Sequence, residues 1–290
     1  MPSAALVFDC RNTHGEGVLW DARSRRVWWT DIHGKSLWCL DPESGEGSSF
    51  AVPGRVCCFA PRARGGLLVA FAEGFALYDL GSGSRQDLAP FEPELPGTRL
   101  NDGRTDRAGR FVAGGMDEAG GCRPISSVWT VDPDLSVRKL FGNVGCANAT
   151  CFSPDGRTMY FADSPRRTLE AIAYDPATGA VGTRRVLAHI EGPGVPDGAC
   201  TDAEGFVWVT VWEGYRVERW SPDGRLVATV HVPVRKPTCC AFGGADLDVL
   251  YVTTSRLGST DAELEREPTS GSLYALRPGV RGLPDTPFAG

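Results

Sequence analysis

The chain has no apolar run long enough to span a bilayer. Its N-terminus, MPSAALVFDCRN, has no basic stretch followed by a long apolar one. No signal peptide or transmembrane segment is read, no membrane partner is expected, and a cytoplasmic location is. Cationic clusters are scarce: 30 Lys and Arg stand against 36 Asp and Glu, a formal net charge of -6. Nucleic-acid binding needs clustered cations on phosphates, so that class is excluded. Arg23, Arg25 and Arg26 form too short a group and read as a solvated turn. Sustained helical spacing is missing too, because Gly or Pro breaks every long stretch. The ten cysteines include the adjacent pairs Cys57-Cys58 and Cys239-Cys240 but no C-x-x-C, so a zinc site is not indicated. They read as buried, reduced thiols packing as small apolar residues. His14, His33, His189 and His231 show no paired ligand spacing, and His14 is read as ordering a turn. No G-x-S-x-G, H-E-x-x-H, Walker loop or dinucleotide fingerprint occurs, so the usual support for serine hydrolase, zincin, NTPase and dehydrogenase readings is absent.

What the chain has is turn residues and a repeat. Its 290 residues include 36 Gly and 21 Pro, which points to many short strands. The runs RRVWWTD, GGLLVAF, GRFVAGG, TMYFADS, GFVWVTV and DVLYVTT recur, with Trp29, Val69, Val112, Phe161, Val209 and Val252 at equivalent places, 40, 43, 49, 48 and 43 residues apart. A second short run follows each, then a turn such as Asp132-Pro133 or Ser221-Pro222-Asp223-Gly224, where Pro and Gly set turn dihedrals. Five units add a third run, such as SSFAV or VATVHV. Six units of about 45 residues with four strands each predict an all-β, six-bladed β-propeller around a central channel. A solenoid would repeat faster, and a sandwich would not need this period. The last unit lacks its fourth strand, which the N-terminal ALVFD run is expected to supply, closing the array and covering both sheet edges. A single domain over 1–290 is expected.

In a propeller the first strand of each blade lines the channel and opens on one face. Counting back from the anchors, Glu16, Asn101, Asn148 and Asp197 fall 13, 11, 13 and 12 residues before Trp29, Val112, Phe161 and Val209. Cys57 and Cys240 take the corresponding places in units two and six. Two carboxylates in a low-dielectric channel repel unless protonated or paired, and a divalent cation resolves this. With amide oxygens they form a hard-ligand set for Ca²⁺, Mg²⁺ or Mn²⁺, with Zn²⁺ and Fe²⁺ left open. Singly, each residue has an ordinary explanation: Glu16 lies between glycines, Asn101-Asp102-Gly103 and Pro196-Asp197-Gly198 make good turns, and Asn148 suits a loop. Their shared repeat phase favours a site. Arg99, two residues before Asn101, projects to the same face and is a candidate either for substrate oxygens or for a surface ion pair. Asp117 and Glu118 follow Gly114-Gly115-Met116 and either reach the mouth or are solvated.

Several segments resemble the gluconolactonase/regucalcin (senescence marker protein) family. They are Gly15-Glu16-Gly17, Arg99-Leu100-Asn101-Asp102-Gly103, Ser153-Pro154-Asp155-Gly156 through Ser164, Pro196-Asp197-Gly198-Ala199-Cys200, and Cys239-Cys240 before Phe242-Gly243-Gly244. They span almost the whole chain in order. The resemblance implies a six-bladed propeller with one divalent metal (Ca, Zn, Mn, Mg or Fe) held by Glu16, Asn148 and Asp197. It makes Arg99 and Asn101 substrate contacts. Two departures stand out. The family usually has Gly after the ligand asparagine, where this chain has Ala149. Its acidic substrate contact follows a G-T-M segment, which here assigns Glu118 unless the match is displaced onto Ala119.

The activity implied is metal-dependent hydrolysis of a small-molecule sugar lactone to the aldonic acid. The cation would polarise the lactone carbonyl and Asp197 would activate water as general base. Two alternatives stay open: a calcium-binding regulatory protein without turnover, and metal-dependent hydrolysis of other esters or organophosphates.

Overall fold

A computed structural model describes residues 2–119 and 121–290. Its strands form six four-stranded antiparallel sheets, the blades of the six-bladed β-propeller that the repeat predicts. Among the described residues, no helix is long and apolar enough to cross a membrane. The one α-helix described, Asp261–Arg266, begins at a capping box in which Thr260 and Glu263 exchange hydrogen bonds.

The chain divides into two compact units. The first, Met1–Arg55 with Ile190–Asp285, holds blades 1, 5 and 6 in chain order. Blade 1 runs Gly15–Asp21, Arg26–Asp31, Ser36–Leu40 and Gly47–Ala51. Blade 5 runs Val195–Thr201, Val207–Trp212, Arg216–Trp220 and Leu226–His231. Blade 6 has three consecutive strands, Pro237–Gly243, Val249–Thr254 and Leu273–Leu276, and takes its fourth, Ala5–Phe8, from the N-terminus as expected. Ala5 pairs with Ala275 and Leu6 with Tyr274. Phe8 then packs edge-on against Trp29 and Trp38, each 6.2 Å away. Gly47 leaves room for it, since a Cβ there would lie 2.3 Å from the Phe8 ring.

The second unit, Val56–His189 with Thr286–Gly290, holds blades 2, 3 and 4. Their first strands are Val56–Pro61, Thr98–Thr105 and Ala147–Phe152. Burial falls outward within a blade: Val56–Pro61 is almost wholly buried, whereas Arg85–Pro90, the fourth strand of blade 2, is largely exposed. The sequence mirrors this, VCCFAP against RQDLAP, because a strand covered on both faces needs apolar residues at successive positions. Val112, Val128, Phe152, Met159, Phe161 and Ile172 fill the space between blades 3 and 4. Ser153-Pro154-Asp155-Gly156 forms the expected turn: Ser153 Oγ donates to Asp155 Oδ1 at 2.6 Å, and Gly156 adopts φ 69°.

Every blade interrupts the pairing of its first and second strands at the same level. The register skips between Glu16 and Leu19, Val56 and Cys58, Leu100 and Gly103, Asn148 and Cys151, Pro196 and Ala199, and Pro237 and Cys240. These are β-bulges, which leave residues unpaired and re-aim side chains. In blades 1 and 4 the first bulged residue is left-handed: Gly17 at φ 57° and Ala149 at φ 53°. Alanine thus holds a conformation that glycine reaches without steric cost.

Phe8→Ala should cost about 2 kcal/mol, below the roughly 3–5 kcal/mol of a fully buried aromatic because Phe8 is only partly covered. The check is a lower urea midpoint with an unchanged slope. Ala149→Val should cost about 3 kcal/mol or more, combining left-handed strain with overpacking at a buried site. Ala149→Gly should stay within about 1 kcal/mol of the wild type, since relief of strain is offset by a lost buried methyl and a freer unfolded chain.

Candidate active site

The bulges place the candidate residues in two phases, where the spacing predicted one. Glu16 and Asn148 are the last paired residues before their bulges, opposite Thr30 and Ala162. Asn101 and Asp197 come one step later, directly after the paired residues Leu100 and Pro196. Cys57 shares that second phase in blade 2. The expectation for blade 6 is corrected. Cys240 lies beyond the bulge, paired with Val252, with its thiol 3.7 Å from that of Cys200 in the core. Thr238 takes the bulge position. Counting from the anchor misses this because the ladder between turn and bulge holds four pairs in blade 6, Gly243–Val249 to Cys240–Val252, against three in blade 5, Thr201–Val207 to Ala199–Val209.

In the first unit Glu16 and Asp197 are both buried, at 8% and 6% exposure. Glu16 Oε2 accepts the Gly17 N–H at 2.9 Å, which uses the left-handed turn to fix the carboxylate. A chain of buried threonines ties these bulges together. Thr210 Oγ1 shares its one proton between the carbonyls of Gly198 at 2.8 Å and Thr238 at 2.6 Å. Thr238 Oγ1 donates to the Gly15 carbonyl at 2.6 Å. The residues beside Asp197 and Glu16 are thereby locked through one hydroxyl each. Close packing fits: a Cβ on Gly198 would lie 2.7 Å from the Cys239 side chain. His14 does order a turn. Its N–H and that of Thr13 donate to Asp31, and its Nδ1 lies 2.8 Å from Ser255 Oγ. Its ring also meets Trp212 edge-on at 5.5 Å. His189 and His231 are exposed on outer strands.

In the second unit the structure joins four of the candidates in one hydrogen-bonded chain. Arg99, 4% exposed, donates from Nε to Glu118 Oε1 at 2.7 Å. Its Nη1 donates to Asn101 Oδ1 and to the Leu100 carbonyl, both at 2.8 Å. Asn101 Nδ2 donates to Asn148 Oδ1 at 3.2 Å and to the Ala147 carbonyl at 2.9 Å. Asn148 Nδ2 donates to Ser164 Oγ at 2.8 Å. Each amide is therefore oriented from both ends, and Asn148 Oδ1 keeps a second lone pair beyond the one Asn101 uses. Burial opposes the charge on Arg99, but Cys57 and Glu118 more than offset it, and the guanidinium pKa lies above its usual value. A buried guanidinium persists only with such partners.

The structure separates the two acids after Met116. Glu118 turns to Arg99, with its side chain about a third exposed. Asp117 neither reaches the mouth nor is solvated: it is buried and paired with Arg123 at 2.8 Å. That hydrogen bond to Arg123 holds its carboxyl below the usual carboxylate range. Sequence reasoning passed over Asp102. Its Oδ2 accepts the Thr150 N–H at 2.8 Å, and burial pushes its pKa up. Ser164, Thr210 and Thr238 were missed as well, since a hydroxyl's role depends on a partner that spacing does not reveal. All ten cysteines lie outside disulfides and eight are buried, in line with the reduced-thiol reading.

Among the described residues no three His, Cys, Asp or Glu side chains gather as a metal cluster. The set expected from the resemblance, two carboxylates and an amide, is of another kind. Its oxygen donors match the chemistry of a hard divalent ion, and Asn148 meets the requirement locally because Ser164 holds its nitrogen and turns its oxygen away.

A family model described as the SMP-30/gluconolactonase/LRE-like region matches residues 14–256. The chain is 38% identical to an L-arabinolactonase of Azospirillum brasilense, over 99% of this chain and 96% of that protein. It is 36% identical to a 6-deoxy-6-sulfogluconolactonase of Pseudomonas putida, over 95% of each. Among solved structures it resembles a calcium-binding protein, regucalcin, from Agrobacterium tumefaciens, with a TM-score of 0.93, 30% identity, and 99% and 98% of the two chains covered. This chain belongs to the SMP-30/gluconolactonase/LRE-like family.

Proposed function

We propose that the protein hydrolyses a sugar lactone to its aldonic acid, using a divalent cation held by Glu16, Asn148 and Asp197. The observation that carries this reading is the hydrogen-bonded chain Glu118–Arg99–Asn101–Asn148, with Arg99 and Asn148 buried, in a relative of two sugar lactonases.

When bound, the cation supplies a Lewis acid that stabilises negative charge developing on the lactone carbonyl oxygen. Asp197 takes the proton of the attacking water, which needs a carboxylate held still, and the Thr210 bond to Gly198 supplies that. Arg99 donates to the sugar's oxygens, and Asn101, whose two N–H groups are taken by Asn148 and Ala147, accepts from a sugar hydroxyl at Oδ1. Glu118 accepts from a sugar hydroxyl while keeping Arg99 oriented. Lactones are activated esters, so no covalent nucleophile is required. A cytoplasmic location is part of the same proposal, and ten cysteines outside disulfides suit it. The regucalcin likeness favours one rival, calcium binding without turnover.

The test is hydrolysis of a panel of pentono- and hexonolactones by purified protein, before and after chelation and after adding back Ca²⁺, Zn²⁺, Mn²⁺, Mg²⁺ or Fe²⁺. Chelation should abolish turnover and at least one metal should restore it. Undiminished hydrolysis in chelator would sink the metal-dependent reading, and tight metal binding with no lactone turned over would favour the rival. Asp197→Asn should lower kcat by about 10²- to 10⁴-fold, the range for losing a general base. Arg99→Lys should raise KM more than it lowers kcat, because an ammonium cannot reproduce the planar fork that Glu118 and Asn101 share.

A further inference from the structure

We infer that Asp102 is a positioning residue for Asn148, acting through the backbone of the blade 4 bulge. The inference rests on the reading of Asn148 as a metal ligand. Asn101 and Asp102 are the two bulged residues of blade 3, and both reach blade 4. Asn101 grips the Asn148 side chain and the Ala147 carbonyl. Asp102 grips the Thr150 N–H, two residues further along. Between those points lies Ala149, the left-handed residue that sets the direction of Asn148.

The Thr150 N–H falls in the gap of the ladder between Asn148 and Cys151, and Thr150 is 1% exposed. A buried amide donor outside the ladder needs another acceptor. Asp102 provides it from a side chain that is itself 9% exposed. Without that acceptor the bulge has reason to relax toward regular pairing. Relaxation would return Ala149 to ordinary backbone and swing Asn148 Oδ1 off its present line. Only the acceptor oxygen matters in this account, so asparagine at 102 should serve and alanine should not.

The experiment titrates Mn²⁺ into metal-free full-length protein by calorimetry, with thermal unfolding of the metal-free form and lactone hydrolysis measured alongside. Asp102→Asn is expected to bind Mn²⁺ within about threefold of the wild type. Asp102→Ala is expected to lose about 10- to 100-fold, the usual effect of removing a group that orients a ligand. Asp102→Ser, too short to reach Thr150, should behave like alanine and serves if the alanine variant does not fold. Asn148→Ala separates the two layers of the argument. If it binds Mn²⁺ like the wild type, the ligand assignment fails. If it loses Mn²⁺ while Asp102→Ala does not, the positioning role fails. An asparagine variant that falls as far as alanine also overturns it, because packing or charge would then be the cause. A measurement on the wild type needs no substitution: exchange of the Thr150 amide hydrogen should slow when Mn²⁺ binds, and unchanged exchange contradicts the coupling.

Discussion

Each blade gives up regular pairing at one level of its first strand, and the rest of the site depends on how the released backbone groups find partners. A buried peptide group left without a hydrogen bond costs about as much as any single interaction contributes. The bulge is therefore stable only where side chains or neighbouring backbone replace the missing ladder. Here the replacements are a carboxylate at Asp102, hydroxyls at Thr210 and Thr238, and the Glu16 carboxylate on its own following amide. Polar side chains that look expensive in a sheet core are what allow that core to be irregular.

Within the second unit, one buried cation organises the polar side chains. Arg99 satisfies Glu118 and Asn101 from one planar group, and Asn101 passes the orientation on to Asn148 and thence to Ser164. Such networks are stable when each member is satisfied. The partial exposure of Glu118 weakens its pairing by solvent screening and leaves the acid within reach of solvent. In the first unit neutral hydroxyls order the backbone beside the two carboxylates.

Much of the fold was legible because its signals are local. The period near 45, the Pro and Gly turns and the orphan ALVFD run each appear in the structure, down to Ala5 lying opposite Ala275. A shared strand position for the four marked oxygen-bearing residues was legible as well, since all of them sit at or beside bulges. Phase was not. Spacing treats every blade as the same ruler, but the ladder between turn and bulge runs one pair longer in blade 6 than in blade 5, which is how Cys240 stood in for Thr238. Partners were not legible either. Asp117 and Glu118 are adjacent in sequence and similar in chemistry, yet one is consumed by Arg123 and the other by Arg99. That choice is made by side-chain direction on either side of a strand end, which composition does not encode.

Ala149 carries a consequence for the lifetime of the molecule. An asparagine side chain decays when the next residue's amide nitrogen attacks its carbonyl carbon, closing a succinimide and releasing ammonia. Glycine in the following position leaves that nitrogen open to the approach, whereas a methyl group hinders it. The bulge at φ 53° is buried and hydrogen-bonded on both sides, which further restricts the rotation that ring closure requires. By accepting a strained alanine where glycine would sit without strain, this chain slows the chemical ageing of Asn148.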